Sequence, residues 1–489
     1  MKDNRDKIVT AKKKATKQEG KAWKQGRKDK NKTQWETVQG GKAGSKMQPE
    51  ALQGRKDKNK VKSETVQSGK AGSKMQLKAL QGWKDKNKVQ SGRRKGDADV
   101  KTKNSGICPV AEKCGGCKWI DKEYEAQLKK KEKWVRELLT PFCKTEPIIG
   151  MKNPTHYRNK VHAVFGEDRK HNIISGIYEE GTHKIVPVDS CLIENEKADA
   201  IIVSIRELMK SFKIRPYNED TGYGLLRHVL IRTAYMTGQI MVVLVLSSPV
   251  MPSKNNFVKT LLKQHPEIST IVLNVNNRDT SMILGDKEQV IYGKGYIEDE
   301  LCGKVFRISP KSFYQVNPEQ TEHLYGKALE FAELRGTETI LDAYCGTGTI
   351  GLIASDKAGK VIGVELNGDA VKDARENAKR NKVANIQFYQ NDAGKFLVGM
   401  AEQNAKVDVV FMDPPRSGSD EAFLSSVLKM KPRKVIYISC NPETLARDLN
   451  YLTKNGYQVK RAVACDMFPF TSHVECVIMM QYCGKEKKK

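Results

Sequence analysis

No apolar run in this sequence is long enough to cross a membrane. The longest, Ile240–Leu246, is strand length, far below the ~18–20 residues of a spanning helix. The lysine-rich start has no apolar segment behind it, so no signal peptide is expected. Phe and Tyr are absent before residue 105, where Trp23, Trp35 and Trp83 are the only aromatics. Acidic residues are scarce: 58 Asp+Glu face 86 Lys+Arg, a formal net charge of +28. Such an excess favours a polyanionic partner, most often nucleic acid. It is uneven, with +20 in residues 1–104 and only +8 in the rest. Charge alone therefore does not make the folded part an RNA binder. Eleven cysteines without an export signal read as reduced thiols, available for metal binding or catalysis. The expected location is cytoplasmic.

Residues 1–104 repeat at a 28-residue period. Gln-Gly-Arg-Lys-Asp-Lys-Asn-Lys begins at Gln25 and Gln53, and recurs at Gln81 with Trp83 in place of Arg. Each unit lacks the apolar residues needed to bury a face, so the segment is expected to be a disordered basic tail. It reads as a loose RNA-tethering arm or as a dispensable expansion. A β-rich central region with a cysteine cluster is expected over residues 105–310. Its helix over Asp121–Leu139 places Tyr124, Leu128, Val135 and Leu138 on one side, and a hairpin turns at Met236–Gly238. Over residues 311–489 short apolar runs at Thr339–Tyr344, Lys360–Leu366, Asp408–Met412 and Lys434–Ser439 alternate with helical stretches. That rhythm predicts an α/β, Rossmann-like doubly wound sheet with its ligand at the carboxyl ends of the strands.

The first of these strands runs into Asp342-Ala-Tyr-Cys-Gly-Thr-Gly-Thr-Ile-Gly351, and Glu365 ends the next. Gly346, Gly348 and Gly351 fit the dinucleotide fingerprint G-x-G-x-x-G, which by itself allows a nicotinamide-dependent oxidoreductase. Asp342 before the glycines, Asp392 after the third strand and Asp413-Pro-Pro-Arg416 after the fourth favour S-adenosyl-L-methionine as a set. The fifth strand ends in Tyr437-Ile-Ser-Cys-Asn-Pro442. That places Cys440 at a strand end before a helix N-terminus, where the dipole lowers a thiol pKa. The last strand offers Glu475, with His473 beside it. A cysteine and a base in one crevice suit a reaction in which a thiolate activates uracil C5 by adding at C6 and a base later removes the C5 proton.

These four motifs resemble the RNA uracil-C5 methyltransferase family, which makes 5-methyluridine in tRNA and 23S rRNA; Ser312-Phe-Tyr-Gln-Val-Asn317 resembles the family's segment before the catalytic domain. The resemblance spans Cys108 to the C-terminus. It implies a class I S-adenosylmethionine-dependent methyltransferase domain. In that domain Gln315, Tyr344, Glu365 and Asp413 would bind the methyl donor, with Cys440 as nucleophile and Glu475 as proton acceptor. Cys108-x5-Cys114-x2-Cys117 is compact enough to wrap a metal centre, with Cys191 as a fourth ligand, and zinc or a four-iron cluster fits such a set. The resemblance selects a [4Fe-4S] cluster, which ribosomal-RNA members of the family carry on this pattern, and thereby 23S rRNA as the partner and a 23S rRNA (uracil-C5)-methyltransferase as the enzyme. A monomer without membrane attachment is expected. No strand-rich segment before Cys108 resembles the TRAM barrel with which many rRNA-directed relatives begin. The competing readings are a tRNA uracil-C5 methyltransferase, the oxidoreductase and a non-catalytic iron–sulfur RNA-binding protein.

Overall fold

The computed structural model describes residues 107–278 and 282–484. The basic repeats, and the disorder expected of them, lie outside the described residues. In chain order the described part forms α1 (Ala111–Cys114), α2 (Tyr124–Leu139), β1 (Lys160–Glu167), β2 (Ile173–Tyr178), β3 (Ile185–Pro187) and α3 (Glu196–Ser211). Next come β4 (Leu226–Thr233), β5 (Ile240–Leu246), α4 (Lys254–Gln264), β6 (Ile268–Val275), β7 (Lys287–Tyr292), β8 (Ile297–Leu301), β9 (Lys304–Ile308) and α5 (Pro318–Ala332). The remainder is β10 (Thr339–Ala343), α6 (Thr349–Ala354), β11 (Lys360–Glu365), α7 (Gly368–Arg380), β12 (Ile386–Gln390), α8 (Ala393–Glu402), β13 (Val409–Met412) and α9 (Glu421–Met430). β14 (Lys434–Ser439), α10 (Pro442–Thr453), β15 (Tyr457–Cys465) and β16 (Glu475–Tyr482) complete it. Among the described residues no helix is long and apolar enough to cross a membrane.

The first sheet has the order β3-β2-β1-β4-β5-β6-β7, antiparallel except for the parallel pair β5–β6 joined through α4. The apolar run Ile240–Leu246 is β5, buried along its whole length. One face packs on α3 and α4 through Ile201, Ile205, Phe257 and Leu261. The other packs through Met241, Val243 and Val245 on a core shared with the second sheet. Burial on both faces is why the strand reads as continuous apolar sequence rather than alternation. The expected hairpin is β4–β5, paired from Thr233↔Ile240. The helices α3 and α4 stand where the sequence reads mostly as strands and turns. In α3 the β-branched run Ile201-Ile-Val203 looks like a strand, but Asn195 caps it by accepting from the Lys197 and Ala198 N–H groups.

The second sheet runs β12-β11-β10-β13-β14-β16-β15, with its first five strands parallel and β16 antiparallel to both neighbours. Strand order reverses between β10 and β13, so a crevice opens at their carboxyl ends. The stretch after the cysteines reaches the far edge of this sheet, while the cysteine turn itself lies against the central region, where a Cβ at Gly115 would sit 3.4 Å from Glu180. Ile149 bridges to Cys465, and the Glu146 and Ile149 N–H groups donate to the Ala462 and Ala464 carbonyls. The buried face of α2 is also shifted from the expected stripe: Gln127, Lys131, Val135 and Leu139 are buried. Lys131 and Asp466, both wholly enclosed, form an ion pair at 2.5 Å. Apolar spacing cannot reveal a buried lysine whose partner lies 335 residues away.

Candidate active site

Asp342 closes β10 with no exposed surface. One carboxylate oxygen accepts from the Gly351 N–H at 2.8 Å, and the other is buried without a partner. Burial pushes its carboxyl up to about 7, with Asp413 and Glu365 adding to the shift against the opposing Gly351 N–H. The next residue but one, Tyr344, sits at φ 63°, a left-handed conformation uncommon outside glycine and concentrated at functional sites. Its hydroxyl meets Ser419 Oγ at 3.1 Å and its ring packs against Phe423. The fingerprint glycines divide their work. A Cβ at Gly348, which has φ 81°, would come within 2.6 Å of Phe388, so this glycine serves helix–sheet packing; one at Gly346 would meet nothing within 4 Å. The space above Gly346 is open to a ligand.

Glu365 holds the crevice edge, its two oxygens accepting from Gly346 N–H at 3.1 Å and Asn367 N–H at 2.8 Å. Burial alone lifts the Asp413 carboxyl to about 7. Gln315 stands ahead of α5: its side chain opposes the upward push on the Tyr325 hydroxyl, while its carbonyl accepts from Asn159 at 3.0 Å. Burial pushes Tyr325 well above its ordinary value, reinforced by Asp413, Asp342 and Glu475 around it. Sequence reasoning missed this tyrosine, since an aromatic on the inner face of an amphipathic helix reads as core. Glu365 and Asp413 thus both act on Asp342, Gln315 and Asp413 both act on Tyr325, and Tyr344 stands on the turn between Asp342 and Gly346, with its ring toward Phe423. The open glycine, orphaned Asp342 oxygen and three carboxylates suit a cationic nucleoside such as S-adenosyl-L-methionine.

The sheet register brings Cys440 to Glu475. β14 pairs with β16 down to Ser439↔Cys476, and the next step of an antiparallel ladder sets residue 440 opposite 475. Asn441 caps α10 by accepting from Glu443 N–H, with Pro442 in the first turn. Its amide also donates to the Arg416 carbonyl at 3.1 Å, fastening the Asp413–Arg416 loop beside the thiol. Glu475 is 5% exposed, and burial, then Asp413, hold its carboxyl well above the usual range against Arg416. The expected lowering of the thiol pKa by the helix end is not what this site does. Burial, then Glu475 and Asp413, push Cys440 up to about 11, and Arg416 opposes them only in part. A cavity of about 410 Å³ opens outside Cys440 between Arg416, Asn441 and His473.

The cysteine segment turns at Gly115, φ 66°, and a Cβ at Gly116 would sit 3.3 Å from Cys114 Sγ. Burial pushes the Cys117 thiol up to about 12, with Cys114 and Cys108 adding to it. Burial and then Glu194 do the same to Cys191. Cys117 and Cys191 both act on the Tyr157 hydroxyl. The four thiols therefore share a neighbourhood and suit a soft metal or cluster in kind. Among the described residues, however, no group of three or more His, Cys, Asp or Glu side chains converges closely enough to hold a metal ion.

Comparison with known proteins agrees with this geometry. The sequence profile described as tRNA (uracil-5-)-methyltransferase matches residues 123–483. A protein of Halalkalibacterium halodurans described as an uncharacterized RNA methyltransferase is 45% identical over 379 residues, covering 76% of this chain and 82% of the relative. One from Clostridium tetani, described in the same words, is 42% identical over 386 residues, 78% and 84% of the two chains. Among solved structures, the Pyrococcus abyssi tRNA (uracil-54, C5)-methyltransferase in complex with S-adenosyl-L-homocysteine is similar at a TM-score of 0.65 and 29% identity, covering 75% of this chain and 85% of that one. A match running from α2 to the end of β16 takes in the whole crevice, and the chain belongs to the tRNA (uracil-5-)-methyltransferase family, whose reaction is S-adenosylmethionine-dependent methylation of uracil C5 in RNA.

Proposed function

We propose that this chain, acting as a monomer, methylates C5 of a specific uridine in 23S rRNA, with residues 311–489 carrying the chemistry and residues 105–310 the RNA. The β14–β16 register is the observation that supports it most: it runs to Ser439↔Cys476, one step from Cys440 and Glu475, and the Glu475 carboxylate acts on the Cys440 thiol. Gln315, Tyr344, Glu365 and Asp413 hold the methyl donor, which supplies an electrophilic methyl on a sulfonium when bound. Cys440, as its thiolate, bonds to C6, the electron pair of the C5–C6 double bond moves toward C5 and O4, and C5 takes the methyl as its bond to the donor sulfur breaks, leaving S-adenosylhomocysteine. Glu475 removes the C5 proton; the double bond re-forms as the C6–S bond breaks, returning the thiolate. Arg416 favours the charged forms of both residues, and its neighbours oppose them.

We further infer that Cys108, Cys114, Cys117 and Cys191 hold a [4Fe-4S] cluster. Their compact turn and shared neighbourhood with Glu194 and Tyr157 support it. The family description and the archaeal structural relative, named for tRNA, favour a second reading in which tRNA is the substrate. One experiment separates them. Glu475→Gln protein, purified without oxygen and assayed for iron and sulfide, is incubated with undermethylated rRNA and tRNA. The adduct forms and cannot eliminate, so a denaturing gel is expected to show a retarded protein–RNA band with 23S rRNA. A band with tRNA alone overturns the rRNA assignment; methyl transfer without any band overturns the Cys440 and Glu475 roles. Stoichiometric zinc without sulfide overturns the cluster.

A further inference from the structure

We infer that the cavity outside Cys440 is a stacking site for nucleobases next to the target uridine in a single-stranded stretch of RNA, held by Trp119 and Trp134 with Lys130. Its placement beside the reacting uridine rests on the function proposed above. The chain has five tryptophans, three of them in the basic tail. The other two, 15 residues apart in sequence, both line this one cavity. Trp119 arrives on the turn that follows Cys117, its backbone N–H donating to the Phe470 carbonyl at 3.0 Å. Trp134 comes from α2, one turn after Lys130, whose ammonium lies 4.8 Å from the centre of the Trp119 ring. Both indoles are half-buried, neither enclosed in a core nor isolated on the surface.

The wall of the cavity says which ligand it takes. Cys440 lines it, but none of Gln315, Tyr344, Glu365 or Asp413 does. The space therefore lies on the substrate side of the thiol, away from the donor crevice. Its volume of about 410 Å³ falls in the ~300–1,000 Å³ range of sites that enclose a small ligand. Lys130 and Arg416 bring positive charge, with Glu443 as the acidic residue of the wall. Partial burial, then Arg416 and more weakly Lys131 and Lys118, hold the His473 imidazole at the rim below its ordinary value. Aromatic faces interleaved with cations match a nucleic acid strand whose bases stack and whose phosphates pair. A duplex buries its base faces, and a uracil must leave the stack to reach a thiol. The matching ligand is single-stranded RNA, whose unpaired bases stack on aromatic side chains.

The test uses the full-length chain with S-adenosylhomocysteine in 0.3 M salt, where tail contributions from counterion release are reduced. The probes are a heptauridylate and the same oligomer with the bases flanking its central uridine removed. Stacking on an aromatic side chain is worth roughly five- to 150-fold per base. Trp119→Ala and Trp134→Ala are each expected to weaken heptauridylate binding at least about fivefold, and the Phe variants to restore most of it. The base-depleted oligomer is expected to bind the parent weakly and to lose nothing more on Trp→Ala. Binding by the Ala variants within twofold of the parent overturns the inference, as do losses from base removal and substitution that simply multiply. A merely structural role lowers the melting temperature and leaves those losses independent. A chain that passes this test yet methylates no RNA refutes the function proposed above and leaves the stacking site standing.

Discussion

The two sides of the crevice are built on opposite plans. The donor side stands on the ends of parallel strands β10, β11 and β13, where each reactive group belongs to a short local motif and the backbone around it is fixed by sheet pairing. The substrate side is assembled from the turn after the cysteines, α2 and the loop between β15 and β16. It is held by contacts over long sequence distance, among them Lys131 to Asp466, Gln127 to the Phe470 N–H at 2.8 Å, and Tyr157 to the Pro469 carbonyl. Phe470 itself adopts φ 67° within that clamp. The contrast teaches that chemistry and shape are separable here. A group removed from the donor side should cost turnover and leave the fold; one removed from the clamp should cost the fold first.

The sharpest break is at the thiol. Cys440→Ala is expected to lower methyl transfer by at least a thousandfold, since covalent activation at C6 has no substitute. Affinity for S-adenosylhomocysteine should stay within about threefold and the melting temperature within a few degrees; label incorporation near the parent rate would falsify the assignment. Second comes the clamp. Lys131→Met strips the partner from a fully buried carboxylate, an event that typically costs about 3–5 kcal/mol. Urea unfolding checks it, and Lys131→Met with Asp466→Leu should recover much of the loss because the pair is replaced rather than broken.

The smallest effect is on pH. Asp342 and Asp413 have folded values near 7, raised from the ordinary carboxylate range, and Glu475 is shifted in the same direction. Raised carboxyls bind protons more tightly in the folded state, so their contribution is complete below pH ~4 and is lost as pH rises through about 7. The melting temperature of donor-free protein should therefore fall between pH 5 and 8 from these groups. A bound cation should flatten the slope, as should Asp413→Asn; a slope unchanged by either would show that other residues set it.

How much of this was readable beforehand follows the same division. Asp342, the glycines, Glu365, Asp413 and Cys440 announce themselves because each sits at a strand end beside turn residues, a local pattern that fixes both position and chemistry. The parallel sheet was legible for the same reason, its buried strands reading as compact apolar runs. Tyr325, Lys131, Trp119 and Trp134 were not, because each gains its meaning from partners far along the chain. The thiol shift was misread because a helix end is visible in sequence, whereas the burial of the thiol, and after it the Glu475 and Asp413 carboxylates, arise only in the folded sheet.

Glu475 begins β16, and its alignment with Cys440 depends on a ladder in which every second side chain turns to the other face. This makes the length of the chain on either side of Glu475 unequal in consequence. A residue added ahead of Val474 lies outside the β14–β16 ladder and leaves its register unchanged. One residue inserted after Glu475, within the paired segment, shifts the register by a single step and sends the carboxylate to the opposite face of the sheet. In the reaction proposed above, the meeting of carboxylate and thiol is thus keyed to parity, set by the count of residues within β16 rather than by the loop before it.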